Sequence, residues 1–252
     1  MPFGAVLHRF DSLPSTNDAA RALALAGAAH GSSILAREQT RGRGTKGRAW
    51  HSPAGLGLYT SFILRDPAGG AVPHPHLLPL AAGLAASDAI LELSGLGIRL
   101  QWPNDVLFEG KKLGGVLTEG TNAGAAGGFA VVGIGLNVGH GPGDLPEELR
   151  ATATSLRLAG GRVPAVEALW TALCGTLERW YNELTRGGKG AVIGAFTSRS
   201  AFSRGDPVRV ETADEIFEAG YQGLDPEGRL VVSRGAAGPV ALVTVRRLER
   251  TS

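Results

Sequence analysis

Only one cysteine, Cys174, stands in the 252 residues. One thiol forms no intramolecular disulfide and builds no cysteine-based metal site, which points to a reducing cytoplasm. Lysine is scarce too. Of 25 basic residues, 21 are arginine and only Lys46, Lys111, Lys112 and Lys189 are lysine. Each lysine therefore stands out. The net charge is +2, so no global basic field calls for nucleic acid. Long apolar runs are missing: the richest window, 77–93, is cut by Pro79, Asp88 and Glu92, against a membrane span. The first ten residues lack the basic stretch and apolar run of a secretory signal. His51, His74 and His76 lack metal-ligand context, and no zinc site is expected. Tandem repeats are absent.

Hydrophobic residues make up 43% and charged residues 19%, the profile of a globular protein long enough to bury a real core. Strand patterns run over 7–10, 32–37, 58–64, 98–102 and 129–134. A hairpin is expected from 106–108 and 113–118 around Glu109-Gly110. Helical spacing covers 15–26, 76–93, 165–184 and 190–200. Ser15 followed by Asp18 reads as a capping box. Residues 40–48 have neither period and read as a loop. Beyond a boundary near 199–204, four short strands are expected at 207–210, 215–222, 230–233 and 241–248. Asp225-Pro226-Glu227-Gly228 is a turn between them. The sum is a mixed α/β domain over 1–200 and a small β-barrel over 204–252. The stretch before Ser15 is too short for a helix-turn-helix module, so no DNA-binding domain is expected.

Four segments carry chemistry. Gly42-Arg43-Gly44-Thr45-Lys46-Gly47-Arg48, between Arg41 and Trp50, places four cations in eight residues. Glycines let backbone N–H groups approach phosphate, and arginine supplies forked donors. The stretch fits neither GxxxxGK[ST] nor GxGxxG, and a solvated basic loop has the same composition. Trp102-Pro103-Asn104-Asp105 ends a strand; it reads either as an Asx-turn or as a corner that holds a metal–phosphate pair. Lys112 opens a strand whose next residues include Gly114 and Gly115, so its ammonium lies beside an approachable backbone. In Gly133-Ile134-Gly135-Leu136-Asn137, glycines alternate in an apolar strand that ends on a lone amide. Each segment alone is weak. Together they suggest a nucleotide phosphate site without a P-loop.

In order and spacing these residues resemble the biotin protein ligase family. The matching pieces are Ser15-Thr16-Asn17, Gln39, the 42–50 stretch (family form GRGRxGRxW), Trp102-Pro103-Asn104-Asp105, Lys112-Leu113-Gly114-Gly115, Gly133 to Asn137, and the run Ala153-Thr154-Ser155-Leu156. The resemblance spans roughly residues 10–160. It implies an α+β fold with a mixed, largely antiparallel sheet, like a class II synthetase, and an SH3-like C-terminal barrel. It also implies an ATP-dependent ligase that activates biotin with Mg-ATP to biotinyl-5′-adenylate and pyrophosphate. Biotin then passes to a lysine of the carrier domain of a biotin-dependent carboxylase, and AMP leaves.

Roles follow from the same resemblance. Biotin would meet Ser15, Thr16, Asn17, Gln39, Arg43, Gly44, Thr45, Lys112, Gly114 and Gly115. The adenylate would meet Arg43, Arg48, Trp50, Asn104, Asp105, Lys112 and Asn137. Lys112 and Arg43 would be catalytic, and Mg²⁺ would lie near Asn104 and Asp105. The loop over 41–50 would order around ligand, and a homodimer through sheet edges is in keeping with the family. Two positions depart from the common pattern. Gln101 stands where many relatives have lysine, with Arg99 as the nearest compensating cation, and Thr45 stands where many have a third loop arginine. The alternatives are a lipoate or octanoate transferase and, further off, a nucleic-acid-binding module.

Overall fold

The computed structural model describes residues 2–66, 69–121, 128–235 and 238–251. Seven strands form the first sheet: β1 (Leu7–Leu13), β2 (Ser33–Gln39), β3 (Gly57–Arg65), β4 (Arg99–Gln101), β5 (Asp105–Phe108), β6 (Lys111–Thr121) and β7 (Phe129–Asn137). Their order is β1-β2-β3-β7-β6-β5-β4. Only β1 and β2 run parallel; every other pair is antiparallel. The expected α+β fold with a largely antiparallel sheet is what forms.

Side-chain alternation along the strands gives this sheet two different faces. On one face Leu58, Phe62, Leu64, Val132, Ile134 and Leu136 join the main core. They pack against α2 (Leu78–Ser94) and α3 (Val166–Thr185), with α4 (Lys189–Ser198) alongside α2. With the turn before it, α2 makes a helical stretch, Pro75–Ser94, long and apolar enough to cross a membrane, yet most of the residues of α2 are buried in this core. It stops at Gly95, whose φ of +75° lets its N–H reach the Leu91 carbonyl at 3.0 Å. On the other face α1 (Thr16–Leu25) sets Ala20 and Ala24 on Ile34, Ile63, Phe129 and Val131. Further along β7 the same face continues as Gly133, Gly135 and Asn137. The apolar contact with α1 ends there and a cavity begins.

Ser15 precedes α1 in an extended conformation but makes no side-chain cap bond. The capping box expected with Asp18 is absent, because Asp18 instead pairs with Arg43.

The C-terminal residues form a second, five-stranded antiparallel sheet: β8 (Pro207–Glu211), β9 (Ile216–Leu224), β10 (Leu230–Ser233), β11 (Pro239–Leu242) and β12 (Arg247–Arg250). Its order is β11-β10-β9-β8-β12. The single strand expected over 241–248 is therefore two. Residues 243–246 leave the ladder, Val245 turns inward to 4% exposure, and the Arg246 N–H crosses to the Glu211 carbonyl. The expected closed barrel does not form among the described residues, since β11 and β12 lie at opposite edges. This sheet is fixed to the first. The Leu100 N–H donates to the Arg199 carbonyl and the Leu100 carbonyl accepts from the Ala201 N–H, at 2.8 Å each, and the Trp102 indole donates to the Gly228 carbonyl at 2.9 Å.

Candidate active site

A cavity of about 660 Å³ lies on the α1 face of the first sheet. Its floor is the glycine-rich end of β7. A Cβ at Gly133 would overlap the Asn17 amide, and one at Gly135 would come within 2.6 Å of the Trp50 indole nitrogen. Gly115, the cross-strand neighbour of Gly135, gives room to Lys112, whose Cε would stand 3.3 Å from an added Cβ. Asn137 closes the row, its amide donating to the Thr154 carbonyl at 2.9 Å. Four residues of strand span about 13 Å. The floor is thus an elongated trough with Asn17 at one end, Lys112 and Trp50 in the middle, and Asn137 at the other end.

The first end is polar and buried. Gln39 Oε1 accepts from the Thr16 N–H at 2.8 Å and from its hydroxyl at 3.1 Å. Gln39 Nε2 donates to Ser52 Oγ at 3.0 Å, and Ser52 Oγ donates to the Trp50 carbonyl at 3.1 Å. Ser61 Oγ lies 2.8 Å from Thr16 Oγ1 and 2.7 Å from Asn17 Oδ1. Asn17 Nδ2 donates to Glu119 Oε2 at 2.7 Å and to the Leu117 carbonyl at 3.3 Å. Ser15, Thr16 and Asn17 are each below 5% exposed, so any polar ligand group that enters meets a dry, pre-oriented set of donors and acceptors.

In the middle, Lys112 Nζ is 2.6 Å from Asp105 Oδ1 and 5.6 Å from the centroid of the Trp50 ring. Asp105 and Asn104 follow a cis Trp102–Pro103 peptide. Asn104 is pinned to β6: its amide donates to the Val116 carbonyl at 2.8 Å, and Val116 returns a bond at 2.9 Å. The backbone of Lys112 pairs with Thr152 and Thr154 at 2.8 and 2.9 Å. The Ala153-Thr154 run thereby holds both Lys112 and Asn137.

Most of the loop expected over 40–48 belongs to a small hairpin over 42–50. Arg43 pairs with Ala49. The Trp50 N–H bonds the Gly42 carbonyl at 2.9 Å, and Gly44 bonds Arg48 at 2.7 Å. A single turn at Thr45–Gly47 forms the tip, with Lys46 at a φ of +60°. Lys46 Nζ reaches the Val245 carbonyl of the C-terminal sheet. Burial, with Arg48 adding to it, holds its ammonium below the usual lysine range. Arg43 Nη2 lies 2.6 Å from Asp18 Oδ1 and 3.3 Å from Glu119 Oε2. Arg48 Nη2 donates to Thr45 Oγ1 at 3.4 Å, which places Thr45 as a brace on Arg48.

The cavity lining includes Ser15, Thr16, Asn17, Gln39, Arg43, Gly44, Thr45, Arg48, Trp50, Asn104, Asp105, Lys112, Gly115 and Asn137. All the expected residues are brought together except Gly114. A bulge that leaves Leu113 unpaired between Lys112 and Gly114 breaks the strand alternation and turns Gly114 to the core face, where an added Cβ would overlap Leu136. Arg246, Arg247 and Arg250 from the C-terminal sheet also line the cavity, although no motif marked them. Gln101 lines it as well, and its amide donates to the Leu248 carbonyl at 3.1 Å. The site therefore takes its additional cations from β12 and the residue before it. Arg99 does not line the cavity; its Nη1 lies 3.5 Å from the Ser198 carbonyl. Among the described residues no three His, Cys, Asp or Glu side chains form a metal cluster.

The match to known proteins agrees with this geometry. Residues 9–137 match the biotin/lipoate A/B protein ligase family model. The biotin–[acetyl-CoA-carboxylase] ligase of Paracoccus denitrificans is 36% identical, over 89% of this chain and 92% of that protein. The bifunctional ligase/repressor BirA of Bacillus subtilis is 35% identical, over 88% of this chain and 67% of that protein. In structure, the biotin protein ligase from Aquifex aeolicus in complex with biotin and ATP superimposes with a TM-score of 0.82 at 27% identity, covering 98% of this chain and 100% of that one. The chain belongs to the biotin/lipoate A/B protein ligase family.

Proposed function

We propose that the chain is a biotin protein ligase that uses ATP, with Mg²⁺, to activate biotin and then transfers it to a lysine of a biotin carrier domain. The supporting observation is the linear order of the trough: a buried polar end, a lysine over an aromatic floor, and a third part edged by an amide. A bicyclic ureido head, a carboxylate meeting a phosphate, and a nucleoside need those surroundings in that order. Two of the three relatives quoted above carry biotin in their names, which favours it over lipoate.

In the first step a biotin carboxylate oxygen attacks the α-phosphorus of ATP, the bond from that phosphorus to the bridging oxygen breaks, and pyrophosphate leaves. Negative charge builds on phosphate oxygens, so fixed cations do the work. Lys112 would exchange Asp105 for the reacting carboxylate and α-phosphate, drawing two anions together. Arg43 and Arg48 would hold phosphate oxygens from the hairpin. Thr16 and Gln39 would read the ureido group, Trp50 would lie against the adenylate, and Asn137 would face the base. Mg²⁺ keeps most of its own waters and binds through phosphates and one or two carboxylates; Asp105 beside Asn104 is the carboxylate that fits. In the second step the amine of the carrier lysine attacks the acyl carbon, the acyl–oxygen bond breaks, and AMP departs. A closed hairpin keeps water from the mixed anhydride.

Residues 1–200 act as the catalytic domain in this reading and 204–252 as an SH3-like module, supported by the five short antiparallel strands. Carrier domains of biotin-dependent carboxylases are the substrate. A cytoplasmic location fits the single, buried cysteine, whose thiol burial pushes up to about 12. Homodimerisation is part of the reading, and β1 pairs with β2 alone among the described strands, leaving a free edge. The test of the function is formation of biotinyl-5′-adenylate from biotin, ATP and Mg²⁺, followed by labelling of a carrier domain.

A further inference from the structure

Asn17 sits within the motif expected to touch biotin and lines the cavity, yet both of its side-chain polar atoms already have protein partners. Its amide hydrogens go to Glu119 Oε2 at 2.7 Å and the Leu117 carbonyl at 3.3 Å, and its oxygen meets Ser61 Oγ at 2.7 Å. The Asn17 seat exists only because Gly133 lacks a Cβ. The carboxylate oxygen of Glu119 that receives Asn17 also lies 3.3 Å from Arg43 Nη2, and Asp18, the next residue of α1, takes the same nitrogen at 2.6 Å. Asn17, Glu119 and Arg43 are separated by up to 102 residues in sequence and meet through one shared oxygen.

We propose that Glu119 is a positioning residue for the nucleotide: it transmits the fixed geometry of the Asn17 seat to Arg43. An arginine side chain has many rotamers, and holding it in one of them is costly in entropy. Here one edge of the guanidinium is held by Asp18 and Glu119, which leaves its remaining N–H groups free to face a phosphate in the cavity. Glu119 is itself held, because the buried Asn17 amide donates to its Oε2 at 2.7 Å. The carboxylate therefore supports Arg43 rather than competing with the ligand for it. This rests on the proposed ligase reading only in naming the anion as the phosphate of ATP.

The test is calorimetric binding of Mg-ATP to the biotin-free protein, with biotin binding measured separately. Glu119→Gln keeps an acceptor for Asn17 but removes the charge that orients Arg43. ATP binding is expected to weaken about tenfold, the scale of one charge-assisted hydrogen bond, with biotin affinity within about twofold and an unchanged melting temperature. Glu119→Asp, which keeps the charge on a shorter arm, should recover part of the loss. In an Arg43→Ala background Glu119→Gln should add nothing, because its whole effect runs through Arg43. Unchanged or tighter ATP binding in Glu119→Gln overturns the proposal; so does an equal loss of biotin binding, or full additivity with Arg43→Ala. Absence of biotinyl-adenylate from the wild type would defeat the ligase reading, while a tenfold loss of ATP binding would still uphold the role of Glu119.

Discussion

The two faces of the first sheet follow one alternation rule and end in opposite chemistry. On β7, Val132, Ile134 and Leu136 look into the core, whereas Gly133, Gly135 and Asn137 look into the cavity. The core face needs volume, because interiors pack at crystal density. The cavity face needs missing volume, because Asn17 and the Trp50 indole occupy the places of the absent side chains. Beyond Val131, this strand therefore packs the core with its even-numbered residues and lines the cavity with its odd-numbered ones, and substitutions should separate the two.

The largest separation is expected at Lys112. Lys112→Ala should lower the rate of adenylate formation by about two to three orders of magnitude, the scale for removing a fixed group that stabilises transition-state charge. Its thermal unfolding should stay close to wild type, and pyrophosphate exchange beside a melting curve reads both. Phe62→Ala, on the core face of β3 and fully buried, should do the reverse. It should cost about 3–5 kcal/mol of stability, read by urea unfolding, with turnover per folded molecule retained.

His140 sharpens the comparison by pH. Its imidazole is fully buried beside His51, with neither ring nitrogen bonded. Burial first, and His51 second, hold its pKa down to about 4. An unfolded chain takes up that proton near 6.5, so stability is complete above 6.5 and falls as the pH drops from 6.5 towards 4. The loss is up to about 3 kcal/mol. Melting temperatures at pH 7 and pH 5 should differ more in the wild type than in His140→Asn. An equal difference would free His140 of the effect. Gly135→Ala should weaken ATP or biotin binding about tenfold through displacement of Trp50, with little change in melting. The smallest effect is expected for Thr45→Arg, which should slow dissociation of the bound adenylate about threefold, about one surface ion pair; identical rates would show that Thr45 costs the enzyme nothing.

Much of the cavity face was legible in the sequence because its requirements are local. A glycine beside an amide, a lysine before two glycines and an arginine run between glycines are readable within a few residues. The C-terminal contribution was not. Arg246 and Arg247 look like ordinary surface charges, and only the fold brings them to the cavity, where the flanking Val245 and Leu248 carbonyls accept from Lys46 and Gln101 across 199 and 147 residues. Glu119 was missed for the same reason. Its partners lie on α1 and on the hairpin, and nothing in Leu117-Thr118-Glu119 announces them. Asn17 was found, but its motif did not reveal that its polar atoms are already spent inside the protein. The strand expected over 241–248 broke because Val245 packs inward where two edges of the fold meet, a contact that no two-residue period encodes.

The most direct measurement of the central claim is to mix the protein with ATP, Mg²⁺ and labelled biotin. Labelled biotinyl-5′-adenylate and an equal amount of pyrophosphate are expected, with the label moving to a lysine when a carrier domain is added. Intact, folded protein that yields neither adenylate nor pyrophosphate would contradict the account.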